Sequence, residues 1–167
     1  MTHPPFIVTL KINEAAEQQF SALRDQYFPA HINYLRAHLT LFHLLPDQQL
    51  ILDALSNFAN RETFPLQVTG LHHMGNGVAY KISSGELQAY HASMQQTFEP
   101  YLVSQDRKKL WPHITIQNKV TAYKSKLLYE ALAEKFEPFQ IVAEGLTVWR
   151  YLNGPWEFVG DFIFKEK

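Results

Sequence analysis

The sequence predicts an α+β protein of two similar lobes in a pseudo-two-fold arrangement, with mostly antiparallel sheets lining a central cleft and helices outside. Two observations carry this expectation. First, Ala37-His38-Leu39-Thr40-Leu41 and Pro112-His113-Ile114-Thr115-Ile116 are both His-x-Thr-x steps with the alternation of a half-buried strand. Second, the order of elements after each step repeats. A helix start, a strand and a turn follow His38 at offsets of 9, 26 and 37 residues (Asp47, Phe64, Gly75), and follow His113 at 8, 26 and 40 (Thr121, Phe139, Asn153). Side-chain identity hardly repeats, so the recurring unit is a strand, a helix and a hairpin. No Pro/Gly-rich linker divides the halves, and residues 1–167 are expected to form one two-lobed domain.

Phe6 to Ile12 places Phe6, Val8, Leu10 and Ile12 on one face and Thr9 and Lys11 on the other, which predicts a strand. Asn13 is a candidate cap for a helix with Ala16, Phe20, Leu23 and Tyr27 inward, and Pro29 ends it. A loop through His31 and Arg36 leads to the first His-Thr strand, about His38 to Leu44. Asp47 is the candidate cap of a second helix burying Ile51, Leu55 and Phe58. Strands at about Phe64–Leu71 and Val78–Ile82 are joined through Gly75-Asn76-Gly77, a strong turn signal. Ser83 and Glu86 fit a capping box before a third helix that carries Leu87, Tyr90, Met94 and Phe98 on one face. The polar run Ser104 to Lys109 is read as a connector. Thr121 is the candidate cap of a fourth helix with Leu128, Ala131, Leu132 and Phe136 inward. Strands at about Phe139–Tyr151 and Trp156–Phe164 close the chain around Asn153-Gly154-Pro155.

Bulk composition narrows the function classes. Fifteen Lys and Arg against 16 Asp and Glu give a formal charge of −1, so no broad electrostatic footprint for a long duplex is expected. With no cysteine, thiol nucleophiles, disulfides and Cys-based zinc sites are excluded together. Met-Thr-His-Pro-Pro lacks the basic and apolar regions of a signal peptide, and no apolar run approaches the ~18 residues of a membrane span. The expectation is a cytoplasmic monomer without membrane contact.

On their strands His38 and Thr40 share one face while Leu39 and Leu41 enter the core; His113 and Thr115 project together over buried Ile114 and Ile116. One histidine can take a proton while a second, protonated, gives one, since an unperturbed pKa near ~6.5 makes both forms accessible. Phosphodiester cleavage needs that division of labour. Two threonine hydroxyls can donate to the non-bridging oxygens, and opposed strands would set acid and base on either side of phosphorus. The scheme needs no metal, and no cofactor is expected. A lone His-Thr step is usually a hydrogen-bonded structural pair. The duplication in matching contexts is what turns the balance toward a shared site.

The two motifs and their 75-residue separation resemble the paired motifs of the two-histidine phosphoesterases, the superfamily of 2′-5′ RNA ligases and cyclic phosphodiesterases. The chain length and element order extend the resemblance over nearly the whole chain. It implies a metal-independent phosphodiesterase acting on 2′,3′-cyclic phosphates, 2′-5′-linked oligonucleotides or related cyclic nucleotides. The catalytic roles would fall on His38, Thr40, His113 and Thr115, with the assignment of acid and base left open. The rival reading is a non-catalytic module that holds a nucleotide or RNA end in the same cleft; a third is an interaction protein whose histidines are packed.

Four further residues are candidate substrate contacts. Strand alternation continues the second motif's face through Gln117 to Lys119, which could attract a phosphate, and the first motif's face to Phe42, which could stack a base. Near the last turn, Trp149 and Tyr151 share one face and Arg150 the other, offering an aromatic platform or a cationic contact. His72 and His73 adjoin on a strand and point apart, which argues against joint metal ligation, and His3, His31, His43 and His91 are read as surface or packing residues. Arg107-Lys108-Lys109 is read as a solvated loop.

The near-zero charge generates a first prediction. Each phosphate gripped on a single strand contributes roughly −0.7 to the slope of log affinity against log salt, so one or two contacts give a shallow slope. Salt titrations across RNAs of increasing length should show no growth of slope with length; a steep, length-dependent slope would contradict a small-ligand site.

Overall fold

Among residues 3–165, which the computed structural model describes, seven strands join in one antiparallel sheet and four α-helices cover it. Met1 and Thr2, at the head of the stretch read for a leader, lie outside the described residues. In chain order the elements are β1 (Phe6–Ile12), α1 (Glu14–Tyr27), β2 (Leu39–Leu45), α2 (Gln49–Phe58), β3 (Phe64–His73), β4 (Val78–Ser83), α3 (Gly85–Phe98), β5 (His113–Gln117), α4 (Ala122–Lys135), β6 (Phe139–Tyr151) and β7 (Trp156–Ile163). Among the described residues no helix is long and apolar enough to cross a membrane.

The strand order is β2-β1-β6-β3-β4-β5, with β7 also on β6. The two expected lobes share this sheet because β6, 13 residues long, serves both. Its first part, Phe139–Ala143, pairs with β3, its later part, Gly145–Tyr151, pairs with β7, and β1 runs along the opposite edge. Each motif strand therefore ends up at an edge: β2 beside β1, and β5 beside β4. The sheet curls until these two edges approach one another.

Buried side chains on α1 hold that closure. Arg24 is 3% exposed. Its Nε donates to the Leu35 carbonyl at 3.1 Å and to Asn33 Oδ1 at 3.3 Å, and its Nη1 donates to the Thr115 carbonyl at 3.0 Å. One guanidinium thus ties the loop ahead of β2 to the backbone of β5. Ser21, also buried, accepts the Ala37 N–H at 2.8 Å, fixing the residue before His38. Burial lowers the Arg24 pKa to about 10, which leaves it charged at any physiological pH.

Several helix starts differ from the sequence reading. Asn13 makes no side-chain cap; its Oδ1 accepts the Val142 N–H at 2.8 Å, so it pairs with β6 instead. Asp47 is drawn to Arg150 at 2.9 Å, and α2 begins after Gln48 without a side-chain cap. The cap of α3 is Ser84, not Ser83, accepting the Leu87 N–H at 3.0 Å, while Glu86 pairs with Arg61. Thr121 does cap α4, accepting the Lys124 N–H at 3.2 Å. Ala131 is exposed rather than inward. In the β3–β4 turn Gly77 is required sterically, since a Cβ there would lie 2.1 Å from the Gln117 carbonyl oxygen of β5.

Replacing Arg24 with Met should cost about 3 kcal/mol, the scale for losing hydrogen bonds to a charged donor and leaving buried carbonyls unpaired. Denaturant midpoints of the two proteins measure it. An unchanged midpoint would show that the guanidinium does not hold the edges together.

Candidate active site

The two motifs are built alike down to the hydrogen bond. His38, one residue ahead of β2, donates from Nδ1 to the Arg36 carbonyl at 2.9 Å. His113, which opens β5, donates from Nδ1 to the Trp111 carbonyl at 2.8 Å. A carbonyl only accepts, so each ring carries its proton on Nδ1 and, when neutral, leaves the Nε2 lone pair free. Both rings and both threonines, Thr40 and Thr115, are half-buried, while Leu39, Leu41, Ile114 and Ile116 are buried as the alternation predicts.

Both imidazoles are held in the neutral form. Burial lowers the His38 pKa to about 4, with further lowering by Arg24, His113 and His43 against the opposing pull of the Arg36 carbonyl. Burial likewise lowers His113, aided by His43 and His72 and opposed by the Trp111 carbonyl. Each ring leans on a tryptophan: His38 on Trp156 at 4.8 Å between centroids, and His113 stacked on Trp111 at 4.1 Å. His72 also meets Trp111, in an edge-to-face contact at 4.7 Å between centroids.

A cavity of about 700 Å³ opens beside His38, within the range of small-ligand sites. Trp149, Trp156 and Phe158 give it an aromatic wall, and Thr9 and Lys11 of β1 add a polar floor. Trp149 is anchored by donating from Nε1 to Thr9 Oγ1 at 3.0 Å. The charged lining is mostly acidic: Glu14, Glu17, Glu144 and Asp161 against Lys11 and Arg36. Both cations are engaged, Arg36 with Glu17 and Lys11 with Asp161 at 3.9 Å. Among the described residues no group of three or more His, Asp or Glu side chains is placed to hold a metal ion.

The expected substrate contacts fare differently. Phe42 is fully buried, stacked on His91 at 4.8 Å and edge-on to Phe98 at 5.6 Å, so it is core and cannot stack a base. The cause is a bulge. Thr9 faces Thr40 while the adjacent Val8 faces Phe42, so Leu41 is an extra residue and the alternation inverts after it. The second motif does the same, Ala79 facing Thr115 and Val78 facing Gln117, with Ile116 extra and Gln117 buried. Lys119 lies beyond the end of β5, exposed in a turn with φ 58°, so the strand face does not extend to it. Arg150 lies away from the cavity wall, bonded to Asp47 at 2.9 Å and Glu157 at 3.2 Å, and Tyr151 is an exposed strand-end residue outside the cavity lining. Of that cluster it is Trp149 and Trp156 that flank the site. His43, read as a surface or packing residue, is turned outward by the bulge, and Asp106, within the run read as a connector, is buried against it.

Comparisons with known proteins bear on the whole arrangement. A family model described as the 2′-5′ RNA ligase superfamily matches residues 12–155. A comparison with curated proteins finds no significant match. Among solved structures, TT0787 of Thermus thermophilus superposes with a TM-score of 0.64 at 15% identity, covering 98% of this chain and 99% of that one. E. coli LigT complexed with 3′-AMP gives 0.60 at 14%, covering 98% and 99%. LigT complexed with phosphate gives 0.54 at 13%, covering 99% and 100%. At such identities these structures speak to the fold alone.

The depressed histidine pKa values have a consequence for stability. The unfolded chain takes up protons near pH ~6.5, whereas the folded protein resists until His38 titrates near 4. Stability is therefore undiminished above about pH 6.5 and falls as the pH drops from there toward 4. Unfolding followed across that window in the parent and in His38→Gln should show the parent losing more stability; identical profiles would refute the shift.

Proposed function

The chain belongs to the 2′-5′ RNA ligase superfamily, and on that premise we propose that it hydrolyses cyclic phosphate or 2′-5′ phosphodiester bonds of nucleotides or RNA ends. The observation that carries this is the matched pair of neutral imidazoles, each with Nδ1 bound to a carbonyl and Nε2 free, at the two approaching edges of one sheet. Neutral His38 and His113 are both ready to accept a proton. The acid must be charged, and the substrate supplies the reason: an anionic phosphate within hydrogen-bond reach raises the pKa of the ring that faces it.

In a 2′,3′-cyclic phosphate, one histidine takes the proton of an attacking water as its oxygen bonds to phosphorus. The phosphorus–oxygen bond to one ribose hydroxyl position breaks, and the other histidine protonates that departing oxygen. Thr40 and Thr115 donate to the non-bridging oxygens, where charge accumulates. The orientation of the ribose decides which ring is acid and which is base.

The cavity supports a nucleoside beyond the phosphate. Trp149 and Trp156 offer an aromatic face for a base, and the surplus of carboxylates disfavours a second phosphate on that side. That LigT was solved with 3′-AMP and with phosphate supports the same class of ligand. The proposed partner is thus a small nucleotide or RNA end, with no long duplex, met by a monomer in the cytoplasm. No step here is assigned to a metal.

Assayed on 2′,3′-cyclic AMP, His38→Ala and His113→Ala should each lower turnover by roughly 10²- to 10⁴-fold while the circular dichroism spectrum is retained. Parent activity should persist in EDTA. Loss of activity on chelation with recovery on adding a divalent ion would refute the proposal, as would binding without product.

A further inference from the structure

A third histidine stands beside the two, held by a carboxylate that the chemistry above does not use. After the Leu41 bulge, His43 returns to the face that carries Thr40, and its side chain is 48% exposed. Asp106, in the 3₁₀ turn Ser104–Arg107, has a side chain only 1% exposed. Its Oδ1 accepts the His43 N–H at 2.9 Å and His43 Nδ1–H at 3.0 Å, and its Oδ2 accepts the Leu44 N–H at 3.0 Å. A buried carboxylate with these donors is fixed in place, and it fixes the ring with Nδ1 protonated and Nε2 turned away from it.

The location is informative. His43 stands on the same face of β2 as Thr40, three residues further along the edge that β5 approaches, and His72 of β3 meets Trp111, the ring on which His113 stacks. Guanidinium groups, the usual clamps for phosphate, are all committed elsewhere. Arg24 holds carbonyls, Arg36 holds Glu17, Arg61 holds Glu86, Arg107 holds Glu99, and Arg150 holds Asp47 and Glu157. A phosphate between the two motifs must therefore draw on other donors, and the Asp106-held imidazole of His43 is one such donor on this face of β2.

We propose that His43 is a third ligand of the substrate phosphate, donating Nε2–H to a non-bridging oxygen with Asp106 as the counter-charge behind the ring. The proposal rests on the phosphodiester reading above and adds to it a binding residue outside the paired motifs. Asp106 is then a positioning residue, aiming the ring through Nδ1 while its bonds to the His43 and Leu44 N–H groups hold the strand.

The test uses His43→Gln, which keeps both backbone bonds to Asp106. With 2′,3′-cyclic AMP, KM should rise roughly ten- to a hundred-fold, the scale of a hydrogen bond to a charged group, while kcat changes little. Inorganic phosphate, used as a probe of the parent protein by imidazole-selective NMR, should shift the His43 resonances together with those of His38 and His113. If phosphate shifts His38 and His113 but not His43, or if His43→Gln lowers the melting temperature without moving KM, the third ligand is overturned and the two-histidine reading stands. If phosphate shifts none of the three, both fall.

Discussion

The cleft exists because two strands that are strangers in the sheet are forced to be neighbours. β2 and β5 sit at opposite ends of the strand order, and hydrogen bonds along the sheet do nothing to bring them together. Arg24 does, from a helix that belongs to neither strand, by donating to the Leu35 carbonyl on one side and the Thr115 carbonyl on the other. Burying a guanidinium among neutral carbonyls is costly unless its donors are met, so the arrangement tolerates little slack in either strand. Asp106 completes the second anchor, accepting two backbone N–H groups of β2 beyond the bulge. Between these two anchors the edges are fixed, and the histidines at their starts inherit that fixity.

Fixity matters because the rings are positioned by backbone rather than by other side chains. Each Nδ1 binds the carbonyl two residues earlier, so ring orientation follows directly from strand conformation. The tryptophans against them, Trp156 and Trp111, restrict the remaining freedom, and burial of the rings lowers the pKa of both. The same burial therefore sets geometry and protonation together.

How much of this the sequence disclosed depends on where alternation holds. It holds through His38-Leu39-Thr40 and His113-Ile114-Thr115, and there the exposed and buried faces match the period-two reading. It fails one step later in both motifs, because Leu41 and Ile116 are bulged and the next residues, Phe42 and Gln117, turn inward. Nothing in an apolar-polar pattern marks a bulge, which is set by how the neighbouring strand registers. Extrapolation past it therefore assigns Phe42 to the cleft face, whereas the side chain is fully buried in the core. The caps failed for a related reason. Asn13 and Asp47 have the right chemistry for a helix start, but Val142 and Arg150 lie 129 and 103 residues away and compete for them successfully. Strand boundaries, by contrast, are legible for β1 and β6, where a long apolar-rich run is bounded by turn or cap residues.

A site of neutral imidazoles beside an acidic cavity is a poor place for an anion until the proton is counted as part of the ligand. With every arginine already paired, no guanidinium is free to serve the site, and the two rings resist charging chiefly because they are buried. A phosphate changes that balance, since its charge favours the imidazolium that burial disfavours. On the proposed reaction, binding and proton uptake are one event, and the acid is created by the substrate it would protonate. On that reading the cleft is not an indiscriminate anion trap: a ligand would have to carry enough negative charge between the two edges to offset the desolvation of a ring. On the same proposal, the surplus carboxylates in the cavity lining would add the converse discrimination, admitting an aromatic, uncharged group while repelling a second anion.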